Sequence, residues 1–292
     1  MRLRTLRRRG QTATFFISTG RCGTQWLAQT LGDVYSDLAV VRHDPIGARY
    51  RPRRYFRQWS EAGRALSNPE AAGEVGFITE TIRHKPYIDT GWASYAMLPW
   101  FIERFPGQVR LVHLVRHPVP TAVSYVAMDI YAPALRSDEW TEFAFLDPTD
   151  PGVVQTEYQA RWPEMTAFER CLFWWTEANL YAEEILPRYP EVPSHKIRSE
   201  DMFGDQPDHL QALVDFLGLP WRPRVAEATE RRVDRWRFTA DEAIDPQLIL
   251  EHPETVRLMG KYGYDMDGFA TPGTTLWDSR KAVIQKPWRT DS

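Results

Sequence analysis

Apolar residues along the chain fall into short continuous runs, separated by stretches in which they recur every three to four positions. The runs at 13–18, 38–42, 75–79 and 109–116 read as buried strands, and 194–198 as a weaker one. Helical periodicity appears at 24–34, 92–105, 118–130, 166–188 and 207–217. Pro118 stands at a first-turn position, where its missing N–H is not needed, and Gly218 is a stop signal. Strands alternating with helices imply crossover units and a mostly parallel sheet. The 109–116 run is apolar at nearly every position, which suits a strand covered on both faces. The pattern thus predicts an α/β fold, a three-layer α/β/α arrangement around a central, mostly parallel sheet.

One stretch breaks this rhythm. Residues 129–163 hold four prolines, many acids and scattered aromatics, and they read as an insertion or lid. No linker divides the chain, so its 292 residues are expected to form one domain. Hydrophobic residues make up 43%, enough for a sizeable core. A net charge of -3 argues against a nucleic-acid-coating protein. Charge is nevertheless uneven. Arg2, Arg4, Arg7, Arg8 and Arg9 make residues 1–12 a basic segment, either a frayed solvated tail or a contact for an acidic partner. Arg280, Lys281, Lys286 and Arg289 make 271–292 a second basic tail.

No apolar run reaches the ~20 residues that span a bilayer, and no apolar signal region follows the basic start, so a cytoplasmic, soluble chain is expected. Cys22 and Cys171 are the only cysteines. They provide neither a disulfide framework nor a cysteine zinc site. No His/Asp/Glu grouping has metal-ligand spacing, so no metal is expected.

The chemistry concentrates in two pieces. "FFISTGRCGTQWL" (15–27) reads as strand, loop and helix start, with Gly20 and Gly23 flanking Arg21. Glycines let a backbone curl around an anion, and helix-start N–H groups with the helix dipole favour negative charge. Taken alone it is either a P-loop-like phosphate-binding loop or an ordinary tight turn. The Gly-Lys-Ser/Thr ending of nucleotide-hydrolysing loops is absent. "HLVRHPVPTAVSY" (113–125) ends an apolar strand in Arg116 and opens a helix that carries Ser124. Both arginines belong at carboxyl ends of strands, where α/β sheets bind ligands. Two anion sites on one sheet edge suggest a ligand with two separate phosphate groups.

The two pieces together resemble the sulfotransferase family, whose members take the sulfuryl group of 3′-phosphoadenosine 5′-phosphosulfate (PAPS) and release 3′,5′-bisphosphoadenosine (PAP). Arg21-Cys22-Gly23-Thr24-Gln25-Trp26-Leu27 is similar to the family's first motif. Arg116, Pro118 and Ser124 have the spacing of its second. A third stretch, 197–221, resembles the family's Glu-Asp, helix, Phe-Leu-Gly-Leu segment. The resemblance implies that Arg21 stands in for the family's lysine at the 5′ phosphosulfate. It implies that Gly23, Thr24 and Gln25 offer N–H groups and a hydroxyl to the 5′ phosphate, and that Arg116 and Ser124 hold the 3′ phosphate. Trp26 is either an adenine platform or a core residue. Cys22 stands where the family often has serine. Ser199 stands where an aromatic is common, leaving any adenine contact there to Arg198. His117 replaces the usual Asn or Asp.

Sulfuryl transfer resembles phosphoryl transfer in needing positioning and fixed positive charge more than covalent chemistry. Arg21 can stabilise charge but is a poor proton donor. The acceptor hydroxyl needs a general base. His43 comes first, since histidine ordinarily titrates near 6.5, followed by Glu80, Asp44 and His84. Asp44 precedes Pro45 and has a turn role as its alternative. The 129–165 insertion is expected to form much of the acceptor site. The expected acceptor is a hydroxyl-bearing small molecule, metabolite or glycolipid. Two other readings stay open: a small-molecule kinase with a P-loop-like site, and a non-catalytic binder of a bisphosphorylated nucleotide. His113 reads as a core histidine, and His195, His209 and His252 as surface residues. Phe173-Trp174-Trp175 read mainly as core.

Overall fold

A computed structural model describes residues 11–46, 52–66, 69–128, 130–131, 144–204, 207–230 and 244–267. The basic segment 1–10, residues 129 and 132–143 of the insertion, and the tail from 268 onward lie outside the described residues.

Five strands form one sheet: β1 (Ala13–Ile17), β2 (Val40–Arg42), β3 (Tyr87–Asp89), β4 (Val109–Val115) and β5 (Ser194–Arg198). Their order is β2-β3-β1-β4-β5, and every pair is parallel. Phe15 of the central strand is in register with Asp89 on one side and Leu111 on the other. The chain leaves β1 toward β2 on one side and later returns to β4 on the other. The crevice at the carboxyl ends beside β1 is therefore the topological switch point of the sheet.

The helices are α1 (Thr24–Tyr35), α2 (Trp59–Leu66), α3 (Pro69–Thr81), α4 (Leu98–Arg104), α5 (Pro118–Val126), α6 (Ala167–Arg188), α7 (Ser199–Met202), α8 (Asp208–Phe216), α9 (Arg224–Glu227) and α10 (Pro253–Lys261). Alternate strand residues feed two cores, as a pleated strand covered on both faces requires. Phe15, Ile17 and Leu111 pack with Phe101, Trp174 and Tyr181 on one face. Phe16, Val112 and Leu114 pack with Leu27, Leu31 and Leu213 on the other. The three-layer α/β/α arrangement is thus present.

Two elements differ from the pattern-based reading. The 75–79 run is not a strand but part of α3. Its buried residues Val75 and Ile78 continue to Ile82 at helical spacing, while Phe77 is exposed. The strand on that side is instead β3, three residues between Pro86 and Thr90. The predicted helix at 92–105 divides into a 3₁₀ turn (Tyr95–Met97) and α4. His252, read as a surface residue, is fully buried and stacks on Tyr158. His113 is the core histidine expected, with Nε2 2.9 Å from Asn179 Oδ1.

Among the described residues of the insertion, 144–165 is anchored. Arg53 pairs with Asp147 and Asp150, and the Glu177 carboxylate accepts the N–H groups of Val154 and Gln155 at 3.0 and 2.8 Å. No helix among the described residues is long and apolar enough to cross a membrane.

Candidate functional site at the carboxyl edge of the sheet

The loop after β1 is wound by left-handed residues: Gly20 at φ +77°, Arg21 at +58° and Gly23 at +95°. Successive backbone turns of this kind make an anion-binding concavity. A Cβ on Gly20 would collide with the Tyr125 hydroxyl, and one on Gly23 would lie 2.8 Å from the Phe203 ring. Only glycine fits either position. Gly23 is the N-cap of α1 and offers no capping side chain, and the first turn of α1 carries no acid. The helix-start N–H groups and the positive end of the dipole are therefore not neutralised locally.

The second motif converges on the first. Arg116 directly follows β4, and its guanidinium donates to the Arg21 carbonyl at 2.7 Å. Arg21 Nε donates to Ser124 Oγ, on α5, at 2.8 Å. Two residues more than ninety positions apart are thereby joined at one crevice. Arg116 is mostly buried, and burial pushes its pKa down, though a guanidinium keeps its charge. Its surroundings are tightly fixed. Glu200 accepts the His117 N–H at 3.0 Å and the Tyr264 hydroxyl at 2.7 Å. The Glu200-Asp201 pair therefore orders the loops beside the crevice, because Asp201 also grips Arg198 at 2.6 and 2.8 Å.

Three further groups hold these loops from below. Trp174 Nε1 donates to the Thr19 carbonyl at 3.1 Å, Trp175 Nε1 donates to the Arg116 carbonyl at 2.9 Å, and Tyr125 donates to Thr19 O. The two tryptophans are core residues by burial, as their spacing indicates, but their N–H groups also tie α6 to both loops. The signal was available, since a buried indole N–H almost always finds a partner.

The remaining expected residues separate into distinct environments. Cys22 is fully buried. Its Sγ contacts the Gly20 carbonyl at 3.0 Å, and burial pushes the thiol up to about 11. It is an inward-facing thiol rather than a reactive thiolate. Thr24 is buried and Gln25 exposed, both on the first turn of α1. Trp26 takes the core alternative, with its ring 3% exposed and Nε1 bonded to the Ala228 carbonyl at 3.0 Å. The exposed aromatic is Phe203, which meets Trp26 edge-on at 4.9 Å and faces Gly23. Nothing in its local sequence distinguishes it. Arg198 is engaged by Asp201 and by the Gly263 carbonyl, and lies over the Tyr264 ring.

His43 follows β2 at the carboxyl edge. Its Nε2 lies 3.2 Å from Thr24 Oγ1, and its Nδ1 lies 3.5 Å from the Asp44 carboxylate. His43 and Asp44 thus sit at the start of α1, in the same crevice as Arg21. Glu80 and His84 do not. A strand at 75–79 would have carried Glu80 to the carboxyl edge. The helix α3 instead delivers the chain to the amino end of β3, on the opposite edge. There Glu80 pairs with Arg83 and His84 on an exposed surface. No group of three metal-ligating side chains occurs among the described residues.

No family model and no curated protein matches this sequence. Among solved structures, a sulfotransferase from Alicyclobacillus acidocaldarius matches at a TM-score of 0.51, with 13% identity over 89% of this chain and 99% of that one. A sulfotransferase domain from the curacin biosynthetic pathway gives 0.49, with 18% identity over 88% of this chain and 99% of that one. A mouse sulfotransferase complexed with PAP gives 0.45, with 18% identity over 88% and 85%. The chain has the sulfotransferase fold.

Proposed function

We propose that this protein transfers a sulfuryl group from PAPS to a hydroxyl of an acceptor, releasing PAP. The observation that carries the reading is the convergence of Arg21, Arg116 and Ser124 at one carboxyl-edge crevice. The donor set suits the ligand. Two guanidinium groups, a hydroxyl and an uncapped helix start match two phosphate groups. Gly20 and Gly23 supply the left-handed turns that wind the loop, with Tyr125 and Phe203 packed where their side chains would go.

In this mechanism Arg116 and Ser124 hold the 3′ phosphate. Arg21 and the first N–H groups of α1 hold the 5′ side and stabilise the charge that grows on the oxygen being released. Thr24 contributes its hydroxyl beside them. His43 accepts the proton of the acceptor hydroxyl at Nε2, while Asp44 steadies Nδ1–H and the imidazolium that forms. Phe203 offers an apolar face for the adenine beside Gly23. The acceptor is a hydroxyl-bearing small molecule that enters from the side of His43. No carboxylate of a magnesium site is needed, because fixed guanidinium charge does the stabilising.

Isothermal calorimetry with PAP and with ATP tests the donor assignment. PAP is expected to bind tightly and ATP weakly. Tight ATP binding with none for PAP would overturn the reading in favour of a kinase. A screen of hydroxylated acceptors with labelled PAPS should yield sulfated product. PAP binding with no turnover on any acceptor class would leave a nucleotide binder instead.

A further inference from the structure

Beside His43 lies a second buried carboxyl group that the sequence motifs do not mark. Asp89 ends β3 and is fully buried. Its Oδ1 accepts two backbone N–H groups, from Gly91 at 2.9 Å and from Asp44 at 3.2 Å. Its Oδ2 is buried with no hydrogen-bond partner. Asp44 in turn accepts the Ala93 N–H at 2.9 Å and faces His43 Nδ1. The backbone of Asp44 is left-handed, at φ +50°, a conformation that an aspartate tolerates at a cost. The bond to Asp89 holds it there. Gly91 makes the close approach feasible, since a Cβ on Gly91 would overlap the Asp44 carboxylate.

Charge decides what such a pair can be. The charged groups that bear on Asp89 are Asp44 and, from α3, Glu74, and both are acidic. Arg42 is spent on Glu74 at 3.6 Å, and His43 faces Asp44. Two ionised carboxylates in one dry site repel each other, and one of them takes a proton. The proton belongs on Asp89, whose Oδ2 is buried and unpartnered. Asp44 accepts the Ala93 N–H and faces Nδ1 of the His43 ring. Burial pushes both groups up, Asp89 much further, and His43 partly offsets the effect at Asp44.

We propose that Asp89 is a positioning residue kept as a neutral carboxylic acid, so that the Asp44–Asp89 pair presents one negative charge to His43. The inference rests on His43 being the general base. One negative charge matches the single positive charge that His43 acquires when it takes the acceptor proton. A second would over-stabilise the imidazolium before the acceptor arrives. Asp89 meanwhile fixes the backbone of Asp44 through Oδ1, and so fixes the carboxylate against Nδ1.

Difference infrared spectroscopy tests the protonation state without any turnover. The wild-type protein at neutral pH should show the C=O stretch of a protonated carboxylic acid, and Asp89→Asn should remove it. Asn keeps an oxygen for the two N–H groups and stays neutral. The Asp89→Asn enzyme should therefore keep kcat within about threefold of wild type. Asp44→Asn, which removes the charge at Nδ1, should lower kcat by about 10–100-fold at unchanged PAP affinity. Absence of the protonated band, or its persistence in Asp89→Asn, overturns the proposal. So does an Asp89→Asn loss of kcat equal to that of Asp44→Asn in a folded protein. If Asp89→Asn does not fold, the carboxyl ¹³C shifts of aspartate-labelled wild type replace it. One carboxyl should stay protonated at neutral pH, and none doing so overturns the idea. The infrared result is independent of His43. Full activity in His43→Ala would sink the general-base assignment and leave the protonation state of Asp89 still measured.

Discussion

His43 Nε2 and Thr24 Oγ1 are 3.2 Å apart, so one hydroxyl stands between the proposed base and the loop proposed to take the phosphate. Replacing His43 by Ala is expected to lower kcat by roughly 10²–10⁴ and leave PAP affinity within about twofold, because a general base acts on the acceptor proton alone. Calorimetry beside single-turnover rates checks the split. Thr24→Val should do the converse in part, weakening PAP by about tenfold through the lost hydroxyl contact, as PAP titrations would show. A different residue contributes to acid stability. His113 is buried in β4 with Asn179 as its partner, and burial lowers it to about 4. The unfolded chain would take up a proton near 6.5 that the folded chain refuses. Stability contributed there is present above about 6.5 and is lost as pH falls toward about 4. Denaturant titrations between about pH 7 and about pH 5 should lose about 2 kcal/mol from this source. His113→Gln should flatten that slope by the same amount, even if it lowers stability overall. An unchanged slope would remove His113 as the source.

At the scale of elements, the strand–loop–helix unit is held less by its own residues than by α6. Trp175→Phe keeps the apolar ring and deletes the indole donor that α6 offers to the Arg116 carbonyl. Leaving that carbonyl unsatisfied should cost about 1–3 kcal/mol of stability. PAP affinity should also fall, since Arg116 then loses its fixed backbone. A thermal melt with and without PAP measures both. Gly20→Ala should be worse, because it combines left-handed strain with overlap of the Tyr125 hydroxyl. The wound loop at residues 20–24 and its meeting with Arg116 and Ser124 were legible in the sequence, because glycines mark left-handed turns and both arginines follow strands at one sheet edge. The tryptophan donors were half legible: helical spacing marked their burial but could not name the carbonyls they reach. β3 was hidden for a simpler reason. Three residues are too few for an alternation to register, and the apolar run at 75–79 supplied a false substitute. That substitution also misassigned Glu80, and with β3 unseen, Asp89 went unnoticed.

Across the whole molecule, the two motifs meet because the sheet order places β1 and β4 side by side. Residues 21 and 116 are distant in sequence, yet Arg116 donates to the Arg21 carbonyl and Arg21 reaches Ser124 across the same crevice. Under the proposed function, Arg116, bonded to the Arg21 backbone, would couple the two ends of the ligand. Arg116→Lys retains the charge and loses the planar fork that can hold a carbonyl and a phosphate together. If the motifs were independent, the substitution would weaken only ligands that carry a 3′ phosphate. The coupled arrangement predicts that PAP weakens by about 10–100-fold, and that adenosine 5′-phosphosulfate, which lacks that phosphate, weakens by about three- to tenfold as well. Titrating both ligands against wild type and variant closes a cycle in which ligand and residue are the two perturbations. A loss confined to PAP would mean that the β4 loop serves the 3′ phosphate alone, and that the geometry around Arg21 stands without it.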